Sequence, residues 1–136
     1  MSTREQHLVQ AKHNQDMLEF IDLNDKAERF RDWYVTVAFY TALHYFEAIL
    51  PVVAHKINIG RKMGFVKEDY DVHDDRETAM MMEFKNVFTQ YKQLYNLSRL
   101  AKYKLYCTTT RDKALSKKRL SEVKNECDKA FARWSS

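Results

Sequence analysis

The segment 71–77 holds the densest set of side chains that could do chemistry. It combines the imidazole of His73, the guanidinium of Arg76 and four carboxylates. His73 and Arg76 could together bind an anion such as phosphate. Asp71, His73 and Asp75 are residue types that bind metal ions, but no second cluster completes a coordination shell, so we predict no metal and no other cofactor. The simpler alternative is that an aspartate of this segment caps a helix.

Arg99 is a second candidate for anion binding. It is followed four residues later by Tyr103, so the two side chains share one face of a helix. The planar guanidinium suits a phosphate or a carboxylate equally well. The alternative to a phosphate ligand is therefore a structural ion pair, with Asp32 or Glu47 as the partner.

Among the five histidines, His44 lies in the most apolar stretch of the chain. A hydrogen bond to a neighbouring helix is the default role for a histidine in such a place, and catalysis is the alternative. His7 and His13 are six residues apart and do not share a helix face, so we predict that both lie on the surface. No spacing of serine, cysteine, histidine or carboxylate residues indicates a named reaction, and the catalytic residues stay unknown.

The composition indicates the elements that must position these side chains. Only 2 glycines and 1 proline occur in 136 residues, which excludes a strand-rich sandwich, a phosphate-binding loop and a dinucleotide-binding fingerprint. The 2 cysteines form no CxxC pair and are too few for a disulfide scaffold or a zinc finger. We predict one all-α domain over residues 1–136, an up-and-down bundle of four to five helices.

Apolar periodicity gives the approximate helix positions. The predicted elements are, in order, a helix over 5–21, a helix over 26–51, an irregular segment over 55–74, a helix over 74–107 and a last helix capped by Ser116. Pro51 is expected to disturb or end the second helix because proline lacks a backbone donor. Apolar residues on most sides of the second helix, Trp33 and Phe46 among them, predict that it is the buried central helix.

Charge is distributed unevenly along the chain. Residues 1–98 carry 12 basic and 15 acidic side chains, whereas residues 99–136 carry 11 basic and 4 acidic ones. The basic run 117–119 in this second part could attract phosphate backbones, and the alternative is a solvated helix face. The stretch 35–54 lacks lysine and arginine but contains Glu47, which disfavours a membrane span. With a polar N-terminal stretch, we expect a cytoplasmic protein without membrane contact.

Three segments, taken in order, resemble HEPN-domain proteins, in particular the small stand-alone prokaryotic kind. They are the helix 32–48 with its Phe-Tyr-Thr-Ala-Leu-His stretch, the His-Asp-Asp-Arg junction at 73–76 and the Ser-Arg-Leu-Ala-Lys-Tyr sequence at 98–103. The resemblance spans roughly residues 30–105. It implies a bundle of four or five helices that is often dimeric. The family includes metal-independent ribonucleases, partners of minimal nucleotidyltransferases in toxin–antitoxin pairs, and members that bind nucleotides or proteins.

The family's ribonuclease signature, an arginine followed after four to six residues by a histidine, is missing from this chain. The resemblance therefore implies a module that binds nucleotide or RNA phosphate without ribonuclease activity. Its partners would be a nucleotide or RNA, a nucleotidyltransferase-type antitoxin and a second copy of the chain. The candidate phosphate ligands are His73, Arg76, Arg99, His44 and Tyr103, which we expect to converge on one cleft. Two alternatives stay open: a metal-independent ribonuclease with a relocated catalytic histidine, and a purely structural dimerisation or protein-interaction module.

Overall fold

The computed structural model describes the backbone of residues 4–62, 85–103 and 108–134, and the side chains of 4–49, 89–102 and 108–132. These residues form four helices: α1 (Arg4–Asn24), α2 (Arg31–Lys62), α3 (Lys85–Tyr103) and α4 (Thr110–Trp134). No strand occurs in the described ranges. The prediction of an all-α helical bundle is confirmed.

Helix α2 is the centre of the bundle and packs against α1, α3 and α4. Contacts between helix ends give the relative directions. The end of α1 meets the start of α4 through Asp22 and Lys113, and the start of α1 meets the end of α4 through Arg4 and Phe131. Helices α1 and α4 are therefore antiparallel, as an up-and-down bundle requires.

The core is formed by side chains from all four helices. Its members with the largest buried rings or branched chains are Leu18 from α1, Tyr34, Phe39 and Phe46 from α2, Tyr91 and Leu94 from α3, and Leu120 and Val123 from α4. Several of them recur at steps of three and four residues, so one face of each helix enters the core. The predicted central position of the second helix is confirmed, with one exception: Trp33 is largely exposed.

The connection between α1 and α2 is organised by Asp25. Its carboxylate accepts hydrogen bonds from the backbone N–H groups of Arg29 and Phe30, and its carbonyl accepts one from Glu28. Glu28 adopts a positive φ of 53°, the left-handed conformation that lets the chain turn. The second helix therefore begins at Arg31, and the predicted start near residue 26 is wrong because this turn uses the intervening residues.

Helix α2 continues through Pro51 to Lys62. Of the two outcomes expected at Pro51, an end of the helix is wrong, and so is the predicted irregular structure for residues 55–62. A proline removes one backbone donor and crowds the preceding turn, but it does not reverse the chain. Buried Phe46 and Ile49 anchor the helix just before it. The remainder of the predicted irregular segment, 63–74, lies outside the described residues.

Helix α4 begins with a reciprocal cap. The hydroxyl of Thr109 accepts a hydrogen bond from the N–H of Asp112, and the carboxylate of Asp112 accepts one from the N–H of Thr109, both at 3.1 Å. This is the capping-box arrangement. The predicted cap, Ser116, lies inside α4, is fully buried and donates to the carbonyl of Lys113. The prediction failed because the threonines and the serine are all residue types that favour caps.

The described helices lack the features of a membrane span. None of them combines sufficient length with sufficient hydrophobicity to cross a bilayer. For α2 this agrees with the reading of its apolar stretch as a bundle centre. The ionisable His44 and Glu47 lie in that stretch, and charged side chains at such positions oppose insertion.

Candidate functional sites along helix α2

The first group of interacting polar side chains joins α1 to α2. The Nδ1 atoms of His7 and His44 are 3.0 Å apart, and the Nε2 atom of His7 is 3.3 Å from an Oε atom of Glu47. The two imidazole rings are tilted by 36°, with their centroids 5.3 Å apart. The side chains of His7 and Glu47 are 14% and 20% exposed. We call these three residues the His–His–Glu cluster.

The hydrogen bonds of this cluster are consistent with two neutral imidazoles. When the proton of His7 is on Nε2 and is donated to Glu47, its Nδ1 accepts from the Nδ1–H of His44. Burial lowers the pKa of His44 below its ordinary value, and the nearby His7 acts in the same direction while Glu47 opposes it. His44 is therefore neutral at pH 7 and keeps a nitrogen lone pair.

A second group lies where α3 packs against α2, at Tyr40, which is one helical turn before His44 and shares its helix face. Lys102 of α3 donates to the hydroxyl of Tyr40, and its Nζ is 4.5 Å from the centroid of that ring. The Cζ of Arg99 and the Nζ of Lys92 lie 5.8 Å and 5.0 Å from the ring centroid of Tyr95. These five residues, which we call the α2–α3 surface, place cations next to aromatic rings.

The charges on α3 and α4 differ in how they are balanced. Helix α3 contains four basic residues and no acidic residue. Helix α4 is richer in basic residues but pairs many of them with carboxylates, as in the contacts of Lys117 with Asp22 and of Arg119 with Glu122. The sequence of α4 contains eight basic and four acidic residues, so its positive charge is partly offset, whereas α3 contains no acidic residue to offset its own.

A groove of about 560 Å³ lies among α1, α2 and α4. Several of its charged groups form ion pairs: Lys12 with Asp16 within α1, and Asp22 of α1 with Lys117 and the nearby Lys113 of α4. Burial acts to raise the pKa of Asp22, but the hydrogen bonds from the two lysines outweigh it and lower that pKa. The contacts of Asp22 with the two lysines therefore link α1 to α4.

The structure places only some of the residues predicted as phosphate ligands. His73 and Arg76 lie outside the described residues, so their convergence with Arg99 stays a prediction. Tyr103 is the last residue of α3, and its side chain also lies outside them. His44 contacts α1, whereas Arg99 lies beside Tyr95 on α3, and no hydrogen bond, ion pair or ring contact of the described residues joins the two.

Two further sequence-based interpretations can be compared with the structure. The default role of His44, a hydrogen bond to a neighbouring helix, is formed with His7. His7 was predicted to lie on the surface and is instead largely buried in this contact, because α1 presents it to α2. The alternative ion pair of Arg99 with Glu47 or Asp32 is not formed among the described side chains, since Glu47 faces His7.

Sequence reasoning did not assign a site role to His7, Glu47, Tyr40 or Lys102. One signal was available for Glu47: it follows His44 by three residues, the spacing that puts two side chains on one helix face. The position of His7 depends on how α1 packs against α2, which no local pattern gives.

The two groups consist of ordinary polar and aromatic side chains brought together by packing. Neither one contains a nucleophile with an adjacent base that would indicate covalent catalysis. Comparison of the chain with models of protein families, with curated proteins and with solved structures finds no match.

Proposed function

We propose that this chain is a HEPN-like helical module that binds the phosphate groups of a nucleotide or an RNA strand on its α2–α3 surface. The observation that carries the proposal is the composition of α3, which contains four basic residues and no acidic one. Two of them, Arg99 and Lys102, are exposed. An anion that approaches this face meets no carboxylate from α3 itself.

The side chains of this surface match what phosphate groups and bases require. Arg99 offers a planar fork of donors and Lys102 offers a compact charge on a flexible stem. Tyr40 and Tyr95 add aromatic rings beside them. Proteins that bind single strands combine a cationic path for the backbone with aromatic faces on which bases stack.

Helix α4 is a weaker candidate for the same role. Its basic run 117–119 contains Lys117, which binds Asp22, and Arg119, which binds Glu122 and Gln93. A phosphate would have to compete with these partners for the same donors. The attraction expected from the basic second part of the sequence therefore centres on α3.

The proposal is for binding without cleavage. Metal-independent RNA cleavage needs a group that removes the proton of the 2′-hydroxyl and a group that protonates the leaving oxygen. The α2–α3 surface offers lysine, arginine and tyrosine but no histidine or carboxylate. His44, one helical turn after Tyr40, is engaged by His7 of α1.

The first prediction concerns Arg99 and Lys102. Replacing both by glutamine should weaken the binding of a short labelled single-stranded RNA by at least about tenfold. The slope of log affinity against log salt should fall by about 1.4, because each lost phosphate contact on a single strand removes about 0.7. Fluorescence anisotropy between about 50 and 200 mM salt measures both quantities. ATP as a competitor distinguishes a nucleotide site from a strand site.

A matched control removes the same charge from another helix. Lys118 and Lys129 are exposed on α4, and replacing both by glutamine changes the net charge by the same amount. This variant should retain affinity within about threefold, since exposed charges distant from a site act only weakly through the screened field. Equal losses in the two double variants would mean that only net charge matters, and that result would refute the assigned surface. Absence of RNA and nucleotide binding at low salt would refute the function.

A structural dimerisation module is a second candidate, favoured by an exposed apolar area. Phe20 of α1 and Phe30 of the following turn line one shallow pocket, and both are exposed. Trp33 lies one helical turn after Phe30 and is also largely exposed. Clustered exposed aromatic side chains are typical of surfaces that contact another protein.

This candidate predicts that the chain forms a dimer, with twice the 16.3 kDa mass of one copy, in light scattering after size exclusion. Replacing Phe20 and Trp33 by lysine should shift it to the monomer, because two charges would enter the apolar contact. Replacing the exposed apolar Val9 and Leu100 by lysine is the control. A monomeric wild-type chain at high concentration would contradict the candidate.

A further inference from the structure

The His–His–Glu cluster has no role in the proposed phosphate binding, but its side chains are of the types that bind metal ions. Each of its members can offer one ligand atom such that the three atoms lie within 4.8 Å of one another. It is the only such group of histidine, cysteine and carboxylate side chains among the residues that the structure describes. We propose that His7, His44 and Glu47 bind one divalent transition-metal ion of the Zn²⁺ type.

The distances are close to those of a metal site. Zinc binds imidazole nitrogen at about 2.0–2.1 Å and carboxylate oxygen at about 2.0–2.2 Å. Two ligand atoms on one tetrahedral zinc are therefore about 3.3 Å apart. The separation of 3.0 Å between the Nδ1 atoms of His7 and His44 is of this size. The 3.3 Å contact of Glu47 is made with Nε2, the other nitrogen of His7, and one imidazole offers only one nitrogen to a given ion. Metal binding therefore needs a side-chain rotation that turns one nitrogen of His7 toward both other residues, and one ligand atom of each residue already lies within 4.8 Å of the others.

The helices hold the three residues in position before any metal arrives. His44 and Glu47 are three residues apart on α2, so both project from one face of that helix. His7 approaches from α1, which packs against α2 over much of its length. Metal sites in helical bundles are built in this manner, from a histidine and a carboxylate three residues apart and further ligands on facing helices.

The donor atoms determine which metal would bind. Two imidazole nitrogens and one carboxylate oxygen suit Zn²⁺ and its transition-metal neighbours, whereas Mg²⁺ and Ca²⁺ prefer oxygen ligands alone. Three protein ligands leave the fourth tetrahedral position for water or an exogenous ligand. The proposal replaces the sequence-based prediction of no metal, which considered only the segment 71–77.

Partial burial gives the cluster limited access from solvent. The side chains of His7 and Glu47 retain 14% and 20% of their exposed area. An ion could therefore enter without unfolding, while much of its surroundings would be protein. Lower exposure to water strengthens the attraction between the cation and the Glu47 carboxylate.

The experiment is a calorimetric titration of the tag-free chain with Zn²⁺ alone, followed by Mg²⁺ alone. We expect one Zn²⁺ ion per chain and no Mg²⁺ heat. His44→Ala and Glu47→Gln should each lower the Zn²⁺ affinity by at least about 100-fold. Replacing a residue that only supports a metal ligand lowers affinity by about 10- to 100-fold, and loss of a ligand itself should cost at least as much. His13→Ala should bind as the wild type does, because this exposed histidine of α1 lies outside the cluster.

Thermal unfolding gives an independent readout. Zn²⁺ should raise the melting temperature of the wild type and of His13→Ala, since a ligand that binds only the folded state stabilises it. The increase in melting temperature should vanish in Glu47→Gln. This variant keeps a hydrogen-bonding group at position 47, so it should fold and decide the result even where His44→Ala does not fold. Unchanged Zn²⁺ affinity in both cluster variants would place any bound zinc elsewhere and overturn the proposal. Absence of wild-type binding would overturn it as well.

Discussion

Replacing Leu94 by alanine should lower the free energy of unfolding by about 3 kcal/mol, within the range of about 2–5 kcal/mol found for buried leucines. Leu94 is fully buried in the core, where α3 packs against α2 and α4. The truncation removes apolar contacts and leaves a cavity that rigid helices close only in part. A shift of the urea midpoint at constant m-value, followed by circular dichroism, measures the loss.

Leu100 provides the matched control for this experiment. It has the same side chain and lies on the same helix six residues later, but it is 43% exposed. Leu100→Ala should change the free energy of unfolding by less than about 1 kcal/mol, because little apolar area leaves water at this position. Equal losses at the two positions would mean that α3 does not dock on the bundle through the face that contains Leu94.

A loss of about 3 kcal/mol is large compared with the total stability of a domain. Domains of this size are stable by about 5–15 kcal/mol, so the Leu94 substitution could remove a large part of the total. For that reason the RNA-binding experiment uses exposed positions of α3 only. Arg99 and Lys102 lie outside the core, and replacing them should leave the free energy of unfolding almost unchanged.

The architecture could be predicted from the sequence because helix packing follows a period that the sequence displays. Tyr34, Ala38, Tyr45 and Ile49 recur at helical spacing along α2 and are all buried. Scarcity of glycine and proline removed most other folds from consideration. Burial of a helix face is a property of the helix itself, so a local pattern is sufficient to predict it.

Helix boundaries could not be predicted as well, because several residues nearby can cap or interrupt a helix. Thr109 and Ser116 both have the chemistry of a cap, and only the reciprocal bonds with Asp112 decide between them. Pro51 has the chemistry of an interruption, yet α2 passes through it. In each case the outcome depends on energies of packing and hydrogen bonding that differ by little.

The His–His–Glu cluster is the clearest example of what the sequence does not contain. His7 and His44 are separated by 37 residues, and nothing in either segment indicates that α1 presents one to the other. The spacing of His44 and Glu47 indicates a shared face but not what covers it. A site assembled from two helices becomes visible only when their relative rotation is known.

Cys127 is expected to be protected from thiol reagents in the folded protein. Its side chain is 2% exposed, and burial, together with the nearby Asp128 and Glu126, raises its pKa to about 12. At pH 8 the thiolate would be about 1000-fold less populated than for an ordinary cysteine with a pKa of about 8.5. Ellman's reagent should therefore react at least about 1000-fold more slowly with the native protein than with the urea-unfolded protein.

The measurement requires Cys107→Ser, so that Cys127 is the only thiol left. Because the reagent reaches a buried thiol through opening of the structure, the rate reports the free energy of that opening. If the opening is global, adding Leu94→Ala should accelerate the reaction by about 100-fold, the equivalent of about 3 kcal/mol. Leu100→Ala should leave it unchanged within a few fold. Rapid reaction of Cys127 in the native protein would show that α4 does not bury this residue in the core. If Leu94→Ala instead leaves the slow reaction rate of Cys127 unchanged, the opening that exposes the thiol involves α4 alone.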